Sequence, residues 1–299
     1  MRSRQLLYLL VLVPIVVGLG LRLIWFPTQA PQLQPGTFDG ERAYRHVMAQ
    51  MAFGPRITGS EGNRKAGDYI VEQLTGARWL TGFQEFTYQN ASCRNVIGRA
   101  NVGKGPVIIV GAHYDTRRWS DQDPDHPRDP VPGANDGASG VAVLLELART
   151  LNLQRVRYEI WLVFFDAEDN GGINGWNWIV GSTYMASNLS IRPQAMILVD
   201  MVGDVEQQIY FDGSSDRALS EKIWSIAARL GYGKHFLPQV RWYVVDDHTP
   251  FMQLGIPAVN VIDLDYAYWH TTADTIDKVS SDSLERVGRT IQVFLELLE

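Results

Sequence analysis

The chain has 299 residues, 45% hydrophobic and 20% charged, with a net charge of -6. That length holds one large α/β domain or two small ones, and the acidic balance offers no footprint for nucleic acid. A single cysteine, Cys93, excludes an intrachain disulfide and a cysteine-based metal site; it reads as a small buried hydrophobe.

The first 26 residues differ in kind from the rest. Two arginines, Arg2 and Arg4, precede an apolar run from Leu6 to Leu21 that resumes after Arg22 and ends at Phe26. The run approaches the ~20 residues that span a bilayer. Pro31 directly after Ala30 obstructs signal cleavage, so an uncleaved anchor is preferred over a cleaved, secreted form. Arg2 and Arg4 would keep the N-terminus cytoplasmic and place the remainder outside. Residues 27–39 are rich in Pro and Gln and read as a tether. Residues 40–299 show no repeat and no second linker, and read as one domain.

Helical periodicity follows at 40–51 and 62–74. "FQEFTYQ" and "CRNVIGRAN" alternate as strands. "GPVIIVGAHYD", "YEIWLVFFDAED", "AMILVDMVGD" and "GIPAVNVIDL" are apolar strands, and the first three end in acids. Between them "GASGVAVLLELARTLN" and "DRALSEKIWSIAARLGYG" read as helices, and "SDSLERVGRTIQVFLELLE" closes the chain as another. Continuous apolar strands alternating with helices predict a three-layer α/β/α fold with a mostly parallel, mixed sheet. Ligands bind such sheets at the carboxyl ends of the strands.

The polar residues fall at those ends. His113 and Asp115 follow one strand; Asp136 precedes a helix; Glu168 and Asp169 follow "WLVFFDA"; Asp200 follows "AMILV"; His270 lies in "YWHTTADT". One at a time, each is an ordinary loop residue or helix cap. Together, histidines and carboxylates without cysteine suit zinc or a related divalent ion at a catalytic site. A shared cation also makes the crowded acids of "FFDAED" tolerable. Asp115, two residues from His113, is placed to accept that ring's second N–H. His126 and His235 read as surface residues.

The motifs "GAHYDT", "GANDGASG", "FFDAED", "LVDMVGD" and "WHTTADT", in this order, resemble the zinc aminopeptidases of family M28 and the glutaminyl cyclases that share their fold. The resemblance covers about residues 40–299. It implies a central mixed sheet flanked by helices, with metal positions at His113, Asp136, Asp169, Asp200 and His270 and a general acid/base at Glu168. The usual Glu-Glu pair is Glu168-Asp169 here, which keeps the catalytic position and shortens the ligand.

The two branches imply different use of these residues. An aminopeptidase would hold two zincs bridged by Asp136, the second on His113 and Asp200, and cut N-terminal residues from peptides. A glutaminyl cyclase would hold one zinc on Asp136, Asp169 and His270 and convert N-terminal Gln to pyroglutamate with loss of ammonia. "VVDDHTPF" resembles the cyclases, placing Asp246 against Asp200 and His248 behind the site. Trp269, before His270, matches a cyclase pocket tryptophan. A second pocket tryptophan aligns with Asn174, and Trp176 substitutes only by proximity. Against this, Asn260 stands where animal cyclases have histidine, and "GANDGASG" looks more like the aminopeptidase motif. The cyclase is the preferred expectation, with peptide N-termini as substrates. A tethered scaffold that has lost catalysis is the third, disfavoured by the intact Glu168 and ligand set.

Overall fold

A computed structural model describes residues 37–298. The expected anchor, residues 1–26, lies outside them. Among the described residues no helix is long and apolar enough to cross a membrane.

The domain begins earlier than its first periodic residue. Phe38, expected at the end of the tether, is buried in the main core. The Asp39 side chain accepts the N–H of Arg42 and caps α1 (Gly40–Met51). Ser60 does the same for α2 (Glu61–Gly76) through Asn63. A hairpin of β1 (Leu80–Tyr88) and β2 (Ala91–Ala100) turns at Gln89 and Asn90, both with positive φ.

The buried strands are β3 (Val107–His113), β4 (Glu159–Phe165), β5 (Ala195–Asp200) and β8 (Ala258–Ile262). The main sheet runs β1-β2-β4-β3-β5-β8. Pairings β4–β3, β3–β5 and β5–β8 are parallel, whereas β1–β2 and β2–β4 are antiparallel. Every residue of these four strands is buried, because both faces are covered. One core includes residues of α1, α2, α3 (Ser139–Thr150), α5 (Arg217–Arg229) and α7 (Ser281–Leu297). The opposite core packs α4 (Val180–Ser187) and α6 (Thr249–Gln253) against Ile109, Val163, Phe165 and Leu198. A two-stranded parallel sheet, β6 (Ile209–Asp212) and β7 (Phe236–Trp242), lies beside β8.

The three parallel pairings aim β3, β4, β5 and β8 the same way, so His113, Asp166 and Asp200 emerge at one edge. Helix α3 starts hard against β5: a Cβ on Gly140 would meet the Val199 carbonyl oxygen at 2.1 Å. Only glycine permits that approach, and it brings the loop carrying Asp136 to the same edge.

Candidate metal centre

Asp136 lies between two histidines. Its Oδ1 is 3.1 Å from His113 Nε2, and its Oδ2 is 3.6 Å from His270 Nε2. His113 Nε2 also meets Asp200 Oδ1 at 3.0 Å, and His270 Nε2 meets Asp169 Oδ1 at 3.0 Å. Two overlapping sets result, His113–Asp136–Asp200 and Asp136–Asp169–His270; within each, the candidate ligand atoms lie within 4.8 Å of one another. All five residues are buried.

The donor chemistry fits a cation. Among the described residues, Asp136 Oδ2 and both oxygens of Asp169 are buried without a hydrogen-bond partner. An unpaired buried carboxylate is costly. His113 Nε2 reaches Asp200 Oδ1, but the Asp136 and Asp169 oxygens are left facing His270 Nε2 and one another, as ligands around a common ion are. Backbone strain clusters at the same place. Ala167 before Glu168, Met201 after Asp200, and His270 itself have φ of 60°, 45° and 54°, a left-handed conformation costing roughly 1–2 kcal/mol per non-glycine residue.

Other buried groups hold the ligands. Asp274 accepts the backbone N–H groups of Asn135 and Asp136 at 2.8 and 3.1 Å, and its Oδ1 accepts the Tyr266 hydroxyl at 2.7 Å. It thereby ties the Asp136 loop to the segment that carries His270. Asp115, expected to fix the His113 ring, lies 3.7 Å from Nδ1, beyond a hydrogen bond. Its oxygens accept instead the N–H groups of Glu168 and Asp169 at 3.0 and 3.2 Å. Asp166, the first acid of "FFDAED", accepts from Thr58, Asn63, Arg94 N and Ala167 N, so it anchors the loop from below. His248, expected behind the site, pairs with Asp212, its Nε2 3.1 Å from Oδ2.

The acids do not titrate alike. Burial pushes Glu168 well above the ordinary carboxylate range; Asp169, Asp246 and Asp247 add to this, and His113 opposes it. Burial also raises Asp200, to about 7, and Asp169, to about 6. Burial pushes Asp136 upward too, but its contacts with His113 and His270 outweigh that and hold it below the usual range. Coupled carboxylates that divide in this way are common where protons are moved.

A cavity of about 300 Å³ opens onto these groups. Glu168, Asp200 and Asp246 line it with Trp178, Trp269 and the extended segment Trp242–Val245. Asp246 is fixed from behind, its Oδ2 accepting the Asn260 side-chain amide at 2.7 Å. Trp269 is where the sequence placed it, its ring stacked on His270 at 3.8 Å. Trp176 is not in the cavity wall. It packs edge-on to Tyr88, near Cys93, Ala167 and Val180. Trp178 lines the wall instead and stacks on His270 at 5.9 Å with an interplanar angle of 8°. The sequence places Trp176 and Trp178 together just beyond the acid pair, and its reading takes Trp176 for the pocket; it gives no separate role to Asp274, although that residue lies in the "WHTTADT" motif.

Residues 95–295 match the model of peptidase family M28. The chain belongs to that family. Aminopeptidase YwaD of Bacillus subtilis is 29% identical over 244 residues, covering 75% of this chain. The match spans only 48% of YwaD, about half its length. Two solved structures from Bacteroides thetaiotaomicron, a leucine aminopeptidase precursor and a glutaminyl cyclase bound to N-acetylhistamine, each superpose with TM-score 0.83 at 30% identity. Each match covers 89% of this chain, with 99% of the former and 100% of the latter. The M28 match thus comes with likenesses to both peptide-cleaving and Gln-cyclising proteins.

Proposed function

We propose that this M28 chain is a zinc-dependent glutaminyl-peptide cyclotransferase, which converts the N-terminal Gln of peptides to pyroglutamate and releases ammonia. The observation that carries the reading is Asp246, a cavity carboxylate that belongs to neither ligand set and is held near Glu168 and Asp200 by Asn260. Glu168 can serve the proton transfer of either reaction; Asp246 adds a carboxylate that, with Asp200, can hold the substrate α-amine while it acts as the nucleophile of cyclisation.

Asp136, Asp169 and His270 would hold the zinc. When bound, it would supply Lewis-acid polarisation of the γ-carboxamide carbonyl. Glu168, whose proton affinity is raised by burial, takes the proton from the substrate α-amine as its nitrogen closes on the γ-carbon. The same carboxyl returns that proton to the departing nitrogen as the carbon–nitrogen bond breaks. Asp200 and Asp246 hold the amine, and Trp269 and Trp178 wall the slot for the neutral side chain. Because nucleophile and electrophile share one residue, confinement in this cavity supplies much of the rate.

The decisive assay mixes the purified protein with peptides bearing N-terminal Gln and follows pyroglutamate and ammonia, with and without a chelator. Metal-dependent cyclisation supports the reading. Cleavage of aminoacyl anilides without cyclisation would replace it with the aminopeptidase alternative, which the second complete ligand set at His113, Asp136 and Asp200 favours. Metal content separates the two independently, one zinc per chain for the cyclase and two for the peptidase. The proposed setting is extracytoplasmic, tethered through residues 1–26; fractionation of expressing cells tests it, and recovery of the full-length chain in the soluble fraction would refute it.

A further inference from the structure

The long loop after β3 carries residues that the proposed reaction does not use. Arg117 is buried although charged, with 5% of its side chain exposed. Its Nη1 donates to the carbonyl oxygen of Asp169 at 2.7 Å and to that of Gly171 at 3.2 Å. Its face covers the Trp178 ring at 4.6 Å. The remaining edge of the guanidinium grips Asp121 in a fork, Nε to Oδ1 at 2.8 Å and Nη2 to Oδ2 at 2.6 Å. That carboxylate lies 3.6 Å from Nδ1 of His270, on the ring edge opposite the proposed metal. The next residue, Gln122, donates its N–H to the His270 carbonyl at 3.2 Å.

We propose that the Arg117–Asp121 pair is a positioning device for the metal centre, fixing Asp169 through its backbone carbonyl and biasing His270 through the carboxylate charge beside its second ring nitrogen. The inference rests on the reading that Asp136, Asp169 and His270 hold the ion. Three physical arguments carry it. His270 has φ of 54°, a conformation that persists only when surrounding contacts impose it. At 3.6 Å the Asp121 carboxylate is too far from Nδ1 for a hydrogen bond, but its negative charge favours the tautomer protonated there, whose Nε2 lone pair faces the cation, and makes that nitrogen a better donor. The two-point fork fixes the plane of the Asp121 carboxylate, which a lysine in place of Arg117 would not do. Arg117 therefore joins two ligands delivered by distant parts of the chain, one after β4 and one after β8.

Asp121 is the residue to change, because 38% of its side chain is exposed and its loss threatens the core least. The full chain is stripped of metal and zinc is titrated in competition with a chromophoric chelator. Asp121→Asn, which keeps an oxygen acceptor for Arg117, should weaken zinc binding by about tenfold while the metal-free protein still folds and unfolds cooperatively. Asp121→Glu, which restores the charge, should recover most of the affinity. Unchanged zinc affinity in Asp121→Asn would overturn the proposal, as would a loss that Asp121→Glu does not repair. A parent chain that takes up no zinc would remove the metal reading itself, and this inference with it.

Discussion

The Asn260 side-chain amide donates to Asp246 Oδ2 at 2.7 Å, and among the described residues Asn260 Oδ1 has no hydrogen-bond partner. One half of the amide therefore fixes the cavity acid, and the other half holds nothing. Asn260→Ala should free Asp246 and lower kcat about tenfold or more, by the scale of acid–base contributions, with KM changed less. Steady-state kinetics on a Gln peptide checks this, and an unchanged kcat would show that Asp246 needs no such support.

Glu168 is buried beside the proposed metal ligands, yet its carboxylate belongs to neither of the two ligand sets. Glu168→Gln keeps the shape and removes the titrating group. Turnover should fall by about 10² to 10⁴ while bound metal, measured by elemental analysis, stays at the parent level. Full activity in this variant would take the proton transfer away from Glu168.

Two tryptophans two residues apart should separate cleanly. Trp178→Ala opens the wall beside His270 and should impair catalysis on Gln peptides, through KM above all. Trp176→Ala removes packing against Tyr88 and should instead lower stability, by about 3 kcal/mol or somewhat less given its partial exposure. Paired kinetics and urea unfolding report both, and the reverse pattern would restore Trp176 to the pocket.

His46 gives a pH dependence outside the centre. It is half-buried, with Nδ1 2.7 Å from the Tyr69 hydroxyl. Burial, then Arg45, Arg42 and Arg149, push its pKa down to about 4 from 6.5. A histidine depressed in the folded state takes up protons more readily when unfolded. Its contribution is thus full above about pH 6.5 and is lost as pH falls from there toward 4. Allowing for partial exposure, the loss is about 2 kcal/mol. Urea midpoints should fall between about pH 7 and pH 4.5 by less in His46→Gln than in the parent; an equal fall would assign the effect elsewhere.

The part of the fold that positions the centre was legible because β3, β4, β5 and β8 are buried on both faces, so each leaves an unbroken apolar run that stops where the polar edge begins. The remainder was hidden for local reasons. Helix α4 has eight residues, starts at a left-handed Ile179 and lacks a side-chain cap. Strand β7 is largely exposed and contains Pro238, Gln239 and Arg241, so it carries no alternation. The choice between Trp176 and Trp178 depends on the turn at Gly171, where an added Cβ would strike the Trp178 ring; neither residue's spacing reveals it. Nearness in sequence pairs Asp115 with His113, but the chain folds the Glu168–Asp169 backbone onto that carboxylate instead.

The indoles of Trp178 and Trp269 flank the ring of His270. Indole emission is sensitive to the charge and electron demand of a stacked imidazole. Intrinsic fluorescence should consequently register whatever ion or ligand that histidine engages, so occupancy of the centre can be followed optically in unlabelled protein, without a turnover assay.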